Sequence, residues 1–419
     1  MKTGIAAGIL AAMIMLATAQ PSVRLPEGAR DLMKENGISD SGGVRPLPTA
    51  VAPGRFDELS DFSNRLWSTV SDGGSGVISP LSAYIALAMT AGGAKGDTLE
   101  SFGCLGIDGE NYTGISSQTG ALIDYLTSPS GSTKLNIANS VWIDDSFTVS
   151  PEFLQILSKY YSADAIGAKL SESTKAVNSW IEEKTGGLIK DILDSIDPDT
   201  SMLLVNTIYM DAKWKVPFEK EATYEDVFTS SDGELQRGAM MHRTGYISTI
   251  DAEGLEGVAL PYDDGRLSFV ALLPDEGTTT SELIARLSEL DIAGLADNAV
   301  SERVALSLPK LELSTSLSLK SALCDMGMEK AFVSSADFSG MGSSPDGNLC
   351  IGDVLQNAKL RLDEAGTEAA AATVVMVKNT SILIEQPPRE ISFDRPFVWA
   401  VVDSASGAVL FCGEVNSLS

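Results

Sequence analysis

The chain has 419 residues, 44% of them hydrophobic, and a formal charge of −27 at neutral pH. That much apolar side chain can bury a large core, and the length allows one large domain or two or three smaller ones. A surface so negative repels phosphate backbones and anionic headgroups, which argues against nucleic acid and against peripheral membrane binding.

Residues 1–19, MKTGIAAGILAAMIMLATA, carry Lys2 as their only charge, ahead of an apolar stretch too short and too poorly flanked for a convincing membrane span. Ala17-Thr18-Ala19 supplies a small-residue cleavage pattern, so the segment reads as a secretory signal peptide, with an uncleaved anchor as the lesser alternative. Its removal takes Lys2 away and moves the charge from −27 to −28. No other long uncharged apolar run follows, and the mature protein is expected to be soluble and extracellular.

Residues 20–54 cluster Pro, Gly and Ser without a sustained period and read as a flexible arm. From Phe56 the pattern turns helical, with Phe56, Leu59, Phe62, Leu66 and Trp67 on one face. A Gly-rich turn at 72–76 precedes VISPLSAYIALAMTAGGAKGDTLESF, where Ser79 caps a helix that Pro80 opens. Residues 83–89 are apolar nearly all round, so that helix should be deeply buried. Residues 138–143 alternate like a strand, 177–193 read as an amphipathic helix, and 202–210 as a central strand. EGVALPY, RLSFVALLP and VALSLPKLEL read as strands, and FVWAVVDSASGAVLFCGEV as two more joined by a hairpin at 403–407. Helices early and strands late argue for an α+β fold. No repeat or composition break follows residue 55, so residues 55–419 are expected to form one domain.

EAGTEAAAATVVMV, residues 364–377, suits neither regular structure: four alanines run straight into Thr373, Val374, Val375, Met376 and Val377. Taken alone, it could be a short helix capped by Thr367 followed by an unrelated strand.

Catalytic constellations are missing. The single His is His242, in GAMMHRTGY, and no G-x-S-x-G elbow accompanies it. It reads as a histidine satisfied within or beside a sheet, and a metal site using two His is excluded. AGGAKGDT at 91–98 lacks the phosphate-loop order. Asp144-Asp145 and Asp263-Asp264 read as solvated turn residues. Cys104, Cys324, Cys350 and Cys412 are few and scattered. Buried free thiols are the favoured reading, with one Cys324–Cys350 disulfide as the alternative. No metal or other cofactor is expected.

Several of these segments together resemble a serpin, a secreted, prokaryotic-type member of the serine protease inhibitor superfamily. VISPLSAYIALAMTAGGAKGDTLESF looks like the family's helix B, VNSWIEEKTGGLIKDIL like its helix F, and VNTIYMDAKWKVPFE like the third strand of its sheet A. LCDMGMEKAF with ADFSGM, DEAGTEAAAAT, FDRPFVWAV and LFCGEV follow in the family's order. The resemblance implies three β-sheets, about eight or nine helices, and an exposed reactive-centre loop on a metastable monomer. Ser79, Ser82 and Asn206 match the polar "shutter" beneath sheet A, and Trp214 the "breach" at its top. Gln356 stands where the family often has a shutter His.

The resemblance further implies that Glu364, Gly366, Thr367, Glu368, Ala369, Ala370, Ala371, Ala372 and Thr373 form the loop hinge, which enters sheet A once the loop is cut. From Thr367 the inward set would be Thr367, Ala369, Ala371 and Thr373, all small, as a strand slipping beneath covering helices requires. Counting forward from Glu364 by the family's spacing puts the scissile bond at Thr380-Ser381. Counting backward puts it nearer Glu385, and Lys378 becomes the bait if the register slips. Asn379-Thr380-Ser381 is also a glycosylation pattern. The implied partners are serine proteases, held covalently, with an added reach to cysteine proteases, and the small Thr380 suits elastase-like or subtilisin-like pockets. A serpin-fold binding or scaffold protein is the alternative, and a hydrolase the least favoured.

Overall fold

The computed structural model describes residues 29–38, 54–187, 190, 192–198, 200, 202–287, 289–343, 349–367 and 387–418. Its strands are β1 (Arg30–Asp31), β2 (Gly76–Ile78), β3 (Lys134–Asp144), β4 (Thr148–Val149), β5 (Asp164–Ala168), β6 (Met202–Lys213), β7 (Thr223–Thr229), β8 (Leu235–Ala252) and β9 (Leu255–Pro261). There follow β10 (Leu267–Pro274), β11 (Val300–Pro309), β12 (Leu311–Ser318), β13 (Gly342–Ser343), β14 (Leu355–Leu362), β15 (Gly366–Thr367), β16 (Arg389–Ser392), β17 (Phe397–Asp403) and β18 (Ala408–Val415). They form a seven-stranded sheet in the order β1-β5-β3-β6-β15-β14-β12, and a larger one in the order β16-β11-β8-β9-β10-β17-β18-β2 with β7 also on β8. A small β4–β13 pair completes the set. The architecture is α+β, with the helices concentrated ahead of Met202 and ten α-helical segments among the described residues.

The helix Pro80–Ala91 is the centre of the molecule. Ser79 accepts a hydrogen bond from the Ser82 amide at its N-cap, Pro80 follows, and every residue but Ala86 is buried. One side of it meets β18 and the other meets β6, so it lies between the two large sheets. Side chains alternate along β6. Ile208, Met210 and Ala212 join the main core, whereas Val205 faces a second cluster with Trp142, Val177, Trp180 and Ile181 beneath the helix Thr174–Lys184.

Three expectations are corrected. The helix expected over 177–193 stops at Lys184, because Gly186 and Gly187 take φ of 63° and 87°, a conformation that ends helices. The stretch read as a flexible arm departs from that reading at Arg30 and Asp31, which pair with Gly167 and Ile166 on β5. Asp31 caps the helix Leu32–Glu35, and Leu32 and Met33 are buried. Two apolar residues in a Pro/Gly-rich stretch show no period. Their seat is made elsewhere, at Gly167, where a Cβ would lie 2.9 Å from Leu32 Cδ2. Asp264, expected in solvent, is buried and accepts hydrogen bonds from the Arg266 and Leu267 amides at 3.0 and 3.1 Å.

Candidate functional site

The centre of the seven-stranded sheet is joined by a very short strand. Gly366 lies opposite Lys213 and Thr367 opposite Ala212 on β6, while Thr367 also lies opposite Leu362 on β14. Gly366 has φ of 150°, and a Cβ there would stand 2.0 Å from the Ala212 carbonyl oxygen, so only glycine fits. Thr367 is buried, and its hydroxyl shares a 2.6 Å hydrogen bond with the Tyr262 hydroxyl. Thr367 is extended within a strand and points beneath the sheet, and the residues a helix capped by it would span lie outside the described residues.

The turn before it is held from all sides. Trp214 donates its amide to the Ala365 carbonyl and its Nε1 to the Asp363 carbonyl, both at 2.9 Å, and the Phe218 amide donates to the Glu364 carbonyl at 2.9 Å. The Trp214 ring stacks on Tyr262 at 4.8 Å and meets Phe218 and Phe269 edge-on. The Glu364 carboxylate accepts from Lys310 Nζ at 3.0 and 3.2 Å. Burial would raise that carboxyl, but its backbone hydrogen bond and Lys310 outweigh burial and hold it below its ordinary range.

The pair therefore stabilises the fold above the ordinary glutamate pKa of about 4.3 and ceases to as pH falls through the lowered folded-state value. Lys310 is 36% exposed, so water screens part of the attraction. Glu364→Gln is expected to lower stability by about 1 kcal/mol at neutral pH and by less under acid. Thermal melts at pH 7 and at acid pH check both the loss and its direction.

Deeper under the same sheet, four expected residues do converge. Ser79 and Gln356 bond reciprocally: the Ser79 amide donates to Oε1 at 3.1 Å, and Nε2 donates to the Ser79 carbonyl at 2.8 Å. Ser79 Oγ donates to the Leu410 carbonyl at 2.6 Å, which ties the cluster to the second sheet. Ser82 Oγ donates to Asn206 Oδ1, whose Nδ2 donates to Asn139 Oδ1. Asn139 in turn donates to the Tyr161 carbonyl at 2.9 Å. A cavity of about 40 Å³ beside Ser82, Asn206 and Gln356 lies beneath the line between β6 and β14. Among the described residues, those two strands are joined through β15 alone.

Sequence reasoning missed Asn139, Tyr262 and Lys310. Asn139 left a signal, since asparagine is depleted inside strands, and Lys310 is the one cation in an apolar run. Glu368, Ala369, Ala370, Ala371, Ala372, Thr373, Lys378, Asn379, Thr380, Ser381 and Glu385 lie outside the described residues.

His242 sits on β8 opposite Ser307 of β11, with Nδ1 2.8 Å from Ser307 Oγ and the Tyr224 ring stacked at 4.0 Å. Burial lowers its pKa, with the Asp226 charge opposing. No described carboxylate bonds its Nε2, which is buried without a partner. A triad needs a third group orienting the imidazole. The pair is a cross-strand hydrogen bond within a sheet. All four cysteines are free thiols, buried at Cys104 and Cys412, half-buried at Cys324 and exposed at Cys350, so the disulfide alternative is not formed.

The family model for Serpin (serine protease inhibitor) matches residues 57–418. An uncharacterised serpin-like protein of Thermococcus kodakarensis is 31% identical over 403 residues, which cover 93% of this chain and 89% of that protein. The native state of the thermophilic serpin tengpin superposes with a TM-score of 0.79 at 35% identity, covering 86% of this chain and 93% of that one. Thyroxine-binding globulin in complex with thyroxine superposes with a TM-score of 0.76 at 25% identity, covering 86% and 98%. The chain belongs to the serpin family, in general a family of protease inhibitors, and its fold is the serpin fold.

Proposed function

We propose that this protein inhibits serine endopeptidases as a suicide substrate, acting as a secreted monomer once residues 1–19 are removed. A target serine attacks the scissile carbonyl, the peptide C–N bond breaks, and the new amino terminus leaves. The acyl-enzyme ester that remains joins the protease to the hinge side of the loop. Insertion of that side into the seven-stranded sheet then drags the protease and deforms its site before water can attack the ester. Insertion of a cut reactive loop as an added strand is the general serpin mechanism, applied here to this chain's own register.

One observation carries the reading: the register of β15. An inserted strand that kept this register, stepping two residues at a time from Thr367, which faces Ala212 and Leu362, would put Ala369 between Met210 and Leu360. Ala371 would then fall between Ile208 and Ala358, and Thr373 between Asn206 and Gln356. These neighbours face the main core or the shutter. The small residues would thus fall where room is least, and the one hydroxyl among the inserted three would fall at the polar cluster. Glu368 would take the opposite phase, toward the outer face.

Incubation with a subtilisin-like or elastase-like protease is expected to give an adduct that survives boiling in detergent. Sequencing of the released peptide should begin at Ser381, while a start nearer Glu385 or after Lys378 would shift the bait. A second reading, binding without inhibition, draws on the likeness to thyroxine-binding globulin. Cleaved loop and fully active protease in the same experiment would favour it.

A further inference from the structure

The densest ion cluster among the described residues has no part in the hinge, the breach or the shutter. Arg389 opens β16, the short strand that takes up the chain after residues 368–386. Its Nη1 donates to Asp251 Oδ2 and Glu302 Oε1, each at 2.8 Å. Its Nη2 donates to Asp251 Oδ1 at 2.6 Å and Glu256 Oε2 at 2.9 Å. The three carboxylates come from β8, β11 and β9, and Asp251 and Glu256 are direct cross-strand partners. Without the guanidinium, like charges would face each other there, which destabilises a strand pair. Charge-assisted and forked bonds of this kind are the strong ones.

The strand that Arg389 holds needs such a clamp. Among the described residues, β16 lies at the edge of its sheet and pairs only with β11, in parallel, over four residues from Val304↔Arg389 to Ser307↔Ser392. Ile391 and the following Phe393 are buried, so the strand's inner end is anchored by apolar packing and its outer end by charge. The outer end is where any pull from the reactive segment arrives first.

We propose that Arg389 is a positioning residue for the inhibitory reaction. By drawing Asp251, Glu256 and Glu302 onto one guanidinium, it keeps β16 seated and the reactive segment tethered at its carboxyl end until a protease cuts it. The inference rests on the function proposed above. If β16 frays in an uncut molecule, the segment gains slack and can enter the sheet without a cut, and the inhibitor is spent with no protease captured. The clamp is partly exposed, with Arg389 at 32% and its partners at 63%, 36% and 38%, so dissolved salt weakens it.

The test compares the mature wild type with Arg389→Ala, Arg389→Lys and the milder Glu302→Gln, each stored uncut at fixed temperature. Samples are assayed over time for adduct formation with subtilisin and for hydrogen exchange at 389–392. Arg389→Ala is expected to lose adduct-forming capacity roughly tenfold faster than wild type, with faster exchange confined to β16. Arg389→Lys and Glu302→Gln should fall between. High salt should speed the decay of wild type and, by screening the carboxylates left facing each other, slow that of Arg389→Ala, a pattern that loss of packing alone would not give. Equal decay and equal exchange in wild type and all variants would overturn the proposal. If wild type forms no adduct with any serine protease tried, the proposed function fails. The clamp is then judged on exchange alone: faster exchange at 389–392 in Arg389→Ala supports it, and unchanged exchange overturns it.

Discussion

A protease offered the Ala371→Arg variant is expected to emerge active. Continued from Thr367, the register would put residue 371 between Ile208 and Ala358 on the core side of the sheet. An arginine there would bury an unpaired charge and overfill a site that fits a methyl group, at a cost of several kcal/mol. Insertion would stall after Ala369, water would release the acyl-enzyme, and the variant would be consumed as a substrate. Ala371 suits the test better than Thr367. The latter is already buried against Tyr262 in the intact molecule, so Thr367→Arg disturbs the starting state as well as the product. Gels should show cleaved inhibitor without the stable adduct. Unchanged adduct yield would refute the register and the insertion mechanism with it.

Cutting the loop should raise the melting temperature by about 10 °C. About ten residues from 368 onward would gain strand partners on both sides, at a net contribution of about 1 kcal/mol each. Each kcal/mol moves the transition by about 1 °C in a chain of this size. The intact protein must then be held by a kinetic barrier rather than by depth of its energy well. Calorimetry before and after a single loop cleavage checks this, and a cut form that melts no higher would mean that no energy is stored.

Much of this was legible in the residues. The central helix announced itself through Ser79, Pro80 and an apolar run, because a cap, a preset φ and a buried face all agree locally. The polar cluster beneath the sheet was legible as a group too: Gln356 bonds Ser79 twice, since a primary amide can donate and accept at once. What escaped depended on distant partners. Tyr262 matters because Trp214 stacks on it and Thr367 bonds it, contacts spanning 48 and 105 positions of sequence. Asp264 is buried with two neighbouring amides on its Oδ1 and the Arg266 guanidinium 3.8 Å from its Oδ2, which a charge count cannot reveal. The helix ending at Lys184 reads as longer because the apolar period continues past Gly186 and Gly187, and a period carries no information on backbone torsion. Residues 30–35 escaped because their groove is assembled from β5, some 130 positions on.

That last contact bears on how the protein should be handled at the bench. A version trimmed to the family match would begin at Asp57 and lack β1 together with Leu32 and Met33. The main sheet would then end at β5 with its amides and carbonyls uncovered, an invitation to sticking between molecules. Recombinant work should start the chain no later than Ala29.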